Sequence, residues 1–203
     1  YLILHYTGME NAQSALDQLC DAKAKVSSHY TIDEDGKIYN HVPEDKRAWH
    51  AGISNWGDDS GLNDISIGVE IVNPGHEFGY RDYPDVQIEN LISLCHQILK
   101  KNDIEFVLAH SDISPDRKQD PGELFPWERL AKEGIGEWPA VSDEDIVKSV
   151  GMDVMVALRD LGYRSTKQKN ALIAFQRHFV PEAFQRGTQG QICGLTKARL
   201  YSL

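Results

Sequence analysis

The sequence predicts an α/β fold, a mixed central β-sheet flanked by helices, plus a small C-terminal three-helix domain. Three patterns support this prediction. Short apolar runs alternate with amphipathic stretches, one pair of runs is separated by the turn residues of a hairpin, and the apolar spacing becomes purely helical towards the C-terminus. We therefore expect two domains, residues 1–139 and residues 140–203.

The elements of the larger domain follow in order from these patterns. Apolar runs rich in β-branched residues predict strands, apolar spacing on one face predicts helices, and Glu34-Asp35-Gly36 supplies the turn of an antiparallel hairpin. Cys95 falls on the apolar face of a helix, where we expect it to pack in the core. The predicted elements are a strand at 1–5, a helix at 11–26, a hairpin at 29–33 and 37–41, a strand at 65–72, a helix at 86–100 and a strand at 106–109.

The smaller domain is predicted to begin after the segment 134–139, where two glycines and a proline interrupt any regular pattern. Ser142 and the acidic residues after it predict a helix start, and an apolar stripe then continues to Leu161, with Gly162 as the stop. Two further helices are predicted, one carrying Leu172, Phe175 and Phe179 and one at about 195–203. Because three short helices bury only a small core, we expect this domain to lean on the larger one.

Charge and hydropathy exclude two classes of partner. The net charge is −10 at pH 7 and the basic residues are scattered, so we expect no nucleic acid. No window approaches about 18 uninterrupted apolar residues, so we expect no transmembrane span. The three cysteines are too few and too scattered for a disulfide framework. Tyr1 already lies in a strand-like run without an initiator Met, which indicates a trimmed or processed chain.

Two strand ends that finish on histidine indicate a metal site. His5 ends the first apolar run, His110 follows the last one, and Asp120 lies in the loop after His110. Neutral imidazole and carboxylate are ordinary zinc ligands, and three protein ligands leave a fourth position for water. We predict that His5, His110 and Asp120 bind zinc, although each of them taken singly is more often a turn residue.

A zinc hydrolase also needs a proton acceptor and a group that stabilises the oxyanion. Glu70 is the only charge in an otherwise apolar strand, where a carboxylate is costly unless it faces a cleft or a partner. Lys118 lies two residues before Asp120. We assign these catalytic roles to Glu70 and Lys118, in an order that could be partly exchanged. The alternatives are a surface glutamate at a strand end and a solvated loop lysine.

The segment 47–52 combines cationic, aromatic and small residues that could line a sugar or peptide groove, although core packing suits His50 equally well. The candidate substrate-binding residues are Arg47, Trp49, His50 and Asn63. The other histidines show no partner at ligand spacing, so we assign structural or surface roles to His29, His41, His76, His96 and His178.

Five motifs occur in the order found in one known family. They are Ile3-Leu-His-Tyr-Thr7, Val26-Ser-Ser-His-Tyr30, Val42-Pro-Glu-Asp-Lys-Arg-Ala-Trp-His-Ala-Gly52, Asn63-Asp-Ile-Ser-Ile-Gly-Val-Glu70 and Ala109-His-Ser-Asp-Ile-Ser-Pro-Asp-Arg-Lys-Gln-Asp-Pro-Gly122. Through them residues 1–139 resemble the zinc-dependent N-acetylmuramoyl-L-alanine amidases, a family that includes the peptidoglycan recognition proteins. The resemblance implies that His5, His110 and Asp120 bind one zinc ion. It also implies that Glu70 and Lys118 assist cleavage of the amide between the muramyl lactyl group and L-alanine, in peptidoglycan or a muropeptide.

Residues 140–203 resemble a three-helix peptidoglycan-binding domain more loosely, through the segments 158–163, 174–177 and 190–196. Gln189 stands where that family usually has Asp, so support of the catalytic domain is the alternative to wall binding. Relatives with such an extra domain are usually exported, which makes the periplasm or cell envelope the expected compartment. The alternative is the cytoplasm, where compact relatives act.

Two other functions remain open at this point. The resembled family includes peptidoglycan recognition modules that bind without cutting, and a zinc peptidase acting on ordinary peptides is a third candidate. The presence of all three ligand types favours the amidase. Relatives selective for anhydromuramyl ends tend to carry Arg before the Leu-Asn-Asp segment, where this chain has Gly61, so selectivity for anhydro sugars is not predicted. We expect a monomer.

Overall fold

The computed structural model describes residues 1–203 and contains a mixed central sheet covered by helices. The strands are β1 (Leu2–Tyr6), β2 (Tyr30–Ile32), β3 (Ile38–Asn40), β4 (Asn55–Trp56), β5 (Asp59–Ser60), β6 (Ile67–Ile71) and β7 (Val107–Ala109). The helices are α1 (Ala12–Cys20), α2 (Gly75–Phe78), α3 (Asp85–Lys101), α4 (His110–Ile113), α5 (Trp127–Lys132), α6 (Asp143–Lys148), α7 (Val154–Leu161), α8 (Gln168–Phe179), α9 (Glu182–Gln185) and α10 (Gly194–Ser202). Short 3₁₀ turns lie at Leu62–Asp64 and Ser149–Gly151.

The sheet brings the first and last predicted strands side by side. Its order is β3-β2-β6-β1-β7, with β1 parallel to both β6 and β7, β2 parallel to β6, and β3 antiparallel to β2. Parallel strands that share an edge end at the same side of a sheet, where open α/β folds bind ligands. The carboxyl ends of β1, β6 and β7 therefore define the region in which the site is built. The predicted α/β class is confirmed.

Successive side chains of a strand point to opposite faces of the sheet, and the interior is therefore divided into two cores. Leu2 and Leu4 of β1 face a core that includes much of α3, whereas Ile3 faces the opposite side. The second core joins Ile3 and Leu108 to side chains of α7, α8 and α10, among them the fully buried Phe175. Burial of one such large apolar side chain contributes about 1.5–3 kcal/mol. Residues on both sides of position 139 share this core, so the division of the chain there stays a proposal.

Two helix predictions were wrong in extent. The first helix was expected to reach Val26 but ends at Cys20, because the Asp21 side chain accepts the Lys23 N–H at 2.9 Å and holds a turn instead. The stripe from Ser142 to Leu161 was expected to form one helix but forms two. Asp153 caps the second of them, accepting the Met155 N–H at 2.9 Å.

No helix is both long and apolar enough to cross a membrane. All three cysteines are free thiols, and Cys95 is fully buried in the first core, as predicted.

Candidate metal centre and active-site cleft

Three of the predicted site residues meet at the carboxyl end of the sheet. His5 is the next-to-last residue of β1, His110 follows β7 directly, and the loop after α4 returns Asp120, whose carbonyl accepts the Ser111 N–H at 3.0 Å. His5 Nδ1 lies 2.9 Å from His110 Nδ1 and 3.1 Å from Asp120 Oδ2. His110 Nδ1 lies 2.9 Å from the same Asp120 Oδ2. All three residues are buried, and no other cluster of His, Cys, Asp or Glu side chains in the chain has ligand atoms as close together.

The far side of each ring decides which nitrogen carries the proton. His110 Nε2 lies 3.1 Å from the Ala51 carbonyl, which can only accept, so Nε2 donates and Nδ1 keeps its lone pair. His5 Nε2 lies 2.9 Å from His50 Nδ1, and His50 Nε2 lies 3.2 Å from Ser66 Oγ. If His5 donates a hydrogen bond to His50 and His50 donates one to Ser66, each of these ring nitrogens has a suitable partner. In these tautomers, both Nδ1 lone pairs point at Asp120.

Three acceptors that converge in a buried space repel one another unless a cation lies between them. Burial, reinforced by His110, lowers the pKa of His5 to about 4, which favours the neutral imidazole that a metal requires. Burial alone would raise the pKa of Asp120, but the neighbouring His110 and His5 outweigh it and hold that pKa below its usual range. Two neutral imidazoles and one carboxylate are a donor set that fits zinc.

Glu70 faces the same space from the adjacent strand. Its Cα is the register partner of His5 in the parallel pairing of β1 and β6, so both side chains lie on one face of the sheet. Its Oε2 atom is buried and has no hydrogen-bond partner. Burial, and then the negative charge of Asp120, raises the pKa of Glu70 well above its usual range, while Lys118 acts in the opposite direction. An unpaired buried carboxyl group aimed at a cleft is a candidate for proton transfer.

A cleft of about 370 Å³ opens over these residues. Glu70, His110, Lys118 and Asp120 lie along it, and the Lys118 side chain is exposed to solvent. Trp49 forms part of the rim and is 49% exposed. The cleft therefore combines a polar floor with an exposed aromatic wall, which suits an amphipathic substrate.

The other predicted substrate-binding residues line an adjoining cavity of about 360 Å³. Arg47 is exposed there and pairs with Asp64 at 3.0 Å. Asn63 is buried, and its Oδ1 accepts the backbone N–H groups of His50 at 3.1 Å and Ala51 at 2.8 Å. Asn63 thus holds the backbone that carries His50 and the Ala51 carbonyl, both of which orient the candidate ligands.

The contact from His50 to His5 was not foreseen from the sequence. The feature of the sequence that indicates such a contact is Gly68, because a glycine inside a strand often marks a close approach of another group. A Cβ on Gly68 would lie 2.4 Å from Cγ of the His50 ring. The remaining histidines lie outside the His5 cluster. Among them, His178 Nδ1 lies 2.6 Å from Asp112 Oδ2 in the interior.

Residues 1–123 match the family model described as N-acetylmuramoyl-L-alanine amidase. The chain belongs to this family. It is therefore a hydrolase of the amide bond between N-acetylmuramic acid and L-alanine, in a family that is zinc-dependent. The family assignment made from the motifs is confirmed, and the alternative of a peptidoglycan recognition module without catalytic activity is not favoured.

Similarity to individual amidases extends beyond the matched region. The chain is 35% identical over 232 residues to the N-acetylmuramoyl-L-alanine amidase AmiD of Escherichia coli, covering 98% of this chain and 81% of AmiD. It is 40% identical over 115 residues to the 1,6-anhydro-N-acetylmuramyl-L-alanine amidase AmpD of the same organism, covering 54% of this chain and 58% of AmpD. The region after residue 139 thus has a counterpart in the first of these relatives.

Solved structures agree over the whole chain. AmpDH3 of Pseudomonas aeruginosa superposes with a TM-score of 0.87 at 33% identity, covering 100% of this chain and 90% of that one. AmiD, solved in complex with anhydro-N-acetylmuramic acid-L-Ala-D-γ-Glu-L-Lys, superposes with a TM-score of 0.85 at 34% identity, covering 100% and 87%. The fold of the amidase is therefore shared with these enzymes from end to end.

Proposed function

We propose that the amidase works through one zinc ion held by His5, His110 and Asp120. The observation that supports this most directly is the convergence of two imidazole lone pairs and a carboxylate within 3.1 Å of one another, with the opposite ring nitrogens already engaged. A zinc ion bound there would lower the pKa of the attacking water towards about 7 and polarise the carbonyl of the scissile amide. The protein supplies the proton transfer and the stabilisation of charge.

Glu70 is the proposed proton acceptor. Its carboxyl group lies beside the candidate ligands with an unsatisfied Oε2, so it has a free position for the proton of the attacking water. The same group is then placed to return that proton to the nitrogen of L-alanine as the amide breaks. A carboxyl group with a raised pKa suits both steps, because it can hold a proton near neutral pH.

Lys118 is the proposed oxyanion stabiliser. Its exposed ammonium group lies along the cleft that also holds Glu70 and Asp120, so it can approach the amide oxygen as negative charge develops there. The two roles could be partly exchanged, with Lys118 assisting proton transfer to the leaving amine.

Substrate binding is assigned to Arg47, Trp49, His50 and Asn63. The first two are exposed at the cleft and its neighbouring cavity and would contact the sugar or the stem peptide directly. His50 and Asn63 are buried and would act by shaping the floor. Because AmiD was solved with a muropeptide as its substrate, we extend this class of substrate to the present chain.

We place the enzyme in the periplasm or cell envelope. AmiD matches 98% of this chain, including the region after residue 139, whereas AmpD matches 54% of it. An extra C-terminal domain is the feature that resembles exported amidases. A monomer remains the proposed oligomeric state.

The test is mass spectrometry of the products formed from purified muropeptides. The enzyme is used as isolated, after chelation, and after zinc is restored. Release of a stem peptide that begins with L-alanine, lost on chelation and recovered with zinc, is the expected result. Intact muropeptide in every reaction, despite measurable binding, would instead indicate a recognition module. Cleavage of a simple peptide without muramic acid would indicate a peptidase.

A further inference from the structure

The loop that carries two of the candidate zinc ligands also carries three carboxylates that take no part in the metal site. They are Asp112, Asp116 and Glu123, within the segment 110–123. Each of them is bound by side chains from one stretch, residues 163–178, that follows α7 and includes most of α8. We call this stretch the latch and the segment 110–123 the metal loop.

Asp112 lies two residues after His110 and is fully buried. Its Oδ2 accepts the Ala109 N–H at 2.8 Å and lies 2.6 Å from His178 Nδ1, and its Oδ1 accepts the Tyr163 hydroxyl at 2.8 Å. The Ala109 contact fixes the backbone that enters His110. Two of its three partners come from the latch, and without them this buried carboxylate would keep unsatisfied acceptor positions, which is unfavourable.

Asp116 lies midway along the loop, and its carboxylate accepts four hydrogen bonds from the latch. Thr166 donates its N–H at 2.8 Å and its hydroxyl at 2.7 Å, Ser165 donates its hydroxyl at 2.5 Å, and Asn170 donates its amide at 3.0 Å. Burial raises the pKa of Asp116, but these hydrogen bonds outweigh it and hold the pKa below its usual range. Asp116 precedes Lys118 by two residues, so this contact fixes the part of the loop that carries the proposed oxyanion stabiliser.

Glu123 closes the loop three residues after Asp120. Its carboxylate lies 3.3 Å from Arg177 Nε on the latch and 3.2 Å from His76 Nε2 on α2. The metal loop is thus attached at its start, its middle and its end. Its own regular structure is one four-residue helical turn, α4, which is too short to hold three side chains in place unaided.

We propose that the latch positions the metal loop, so that the C-terminal region sets zinc affinity through Tyr163, Ser165, Asn170 and their neighbours rather than only adding a binding surface. Partners that orient a ligand-bearing segment typically change metal affinity or activity about 10–100-fold when they are removed. These are positioning residues, since none of them lies among the residues of the metal centre or lines the cleft. The proposal rests on the zinc site proposed above.

The experiment uses two latch variants of the full chain and one matched control. Tyr163→Phe removes only the hydroxyl that binds Asp112 and keeps the ring that packs on Trp56. The double variant Ser165→Ala/Asn170→Ala removes two donors from the exposed side of the loop. The control, Thr196→Val, removes a buried hydrogen bond to Gln176 in the same region without touching the metal loop.

Four quantities are measured for each protein. Zinc affinity is measured by competition with a chromophoric chelator, the visible spectrum is recorded with Co²⁺ in place of zinc, and melting temperature is compared. Hydrogen exchange of the metal-free protein is followed at the amides of Ala109, Ser111 and Lys118, each of which donates a hydrogen bond to a residue of the metal loop. These readouts do not depend on catalytic turnover.

We expect zinc affinity about 10-fold lower in both latch variants, a changed Co²⁺ spectrum, and faster exchange at the loop amides. The control should have a lower melting temperature but unchanged zinc affinity, Co²⁺ spectrum and exchange at the loop amides. Equal affinity and equal loop exchange in the latch variants and the control would overturn the proposal. If the wild-type protein failed to bind zinc, the proposed function would fall, and the exchange rates alone would still decide whether the latch orders the loop.

Discussion

Gly68 leaves the space in which the His50 ring supports His5, so Gly68→Ala is a direct test of that support. A Cβ at this position would lie 2.4 Å from Cγ, 2.5 Å from Nδ1 and 2.6 Å from Cδ2 of His50, where ordinary contact begins near 3.4 Å. The ring must therefore move by about 1 Å. Its hydrogen bonds are 2.9 Å to His5 and 3.2 Å to Ser66, and a displacement of that size breaks at least one of them.

Gly68→Ala should lower two quantities, the free energy of unfolding and the affinity for zinc. Overpacking a close-packed site costs about 1–3 kcal/mol of unfolding free energy. Loss of the group that orients a ligating histidine costs about 10–100-fold in metal affinity. We expect both effects together in Gly68→Ala.

Zinc affinity is measured by chelator competition, and unfolding free energy by denaturant titration of the metal-free protein. The matched control is Gly194→Ala, the same substitution at a position where a Cβ meets no atom within 4 Å. It should leave both quantities near the wild-type values. If Gly68→Ala bound zinc as tightly as the control and lost no stability, the role assigned to His50 would be wrong.

Three further predictions concern the site itself. Glu70→Gln should keep zinc but lower kcat for muropeptide cleavage about 10²–10⁴-fold, because the proton acceptor is lost at nearly constant shape; unchanged kcat with full zinc content would remove Glu70 from the mechanism. Lys118→Ala should lower kcat with little change in melting temperature, because the side chain is exposed; a change confined to KM would indicate binding instead. The pKa of His5 falls from 6.5 to about 4 on folding, so the unfolded chain binds more protons in that window. The metal-free protein should lose stability as pH falls from 6.5 towards 4, by about 3 kcal/mol at most, and His5→Gln should flatten the curve in chemical unfolding.

The sequence predicted that His5, His110 and Asp120 meet because that meeting follows from local rules. Short apolar runs form parallel strands, and the carboxyl ends of neighbouring parallel strands share one edge of the sheet. The position of Glu70 follows in the same way, since a lone charge in an apolar strand must face a cleft or a partner. Motif resemblance and strand-end reasoning therefore selected the same residues.

The contacts that support the candidate ligands could not be predicted from the spacing of residues in the sequence. His50 approaches His5 from a loop with irregular backbone, and Asp112 meets Tyr163 and His178 more than 50 residues along the chain. Such contacts have no periodicity, and each residue type is also common on surfaces. The break between α6 and α7 was missed because an apolar stripe masked the capping role of Asp153.

The proposed mechanism depends on one zinc ion bound jointly by His5, His110 and Asp120. The most direct measurement is a crystal structure of the zinc-loaded enzyme with diffraction data collected on both sides of the zinc absorption edge. We expect a single strong anomalous peak in contact with Nδ1 of His5, Nδ1 of His110 and Oδ2 of Asp120. A zinc-loaded crystal with no peak there, or with the peak at another set of residues, would contradict it.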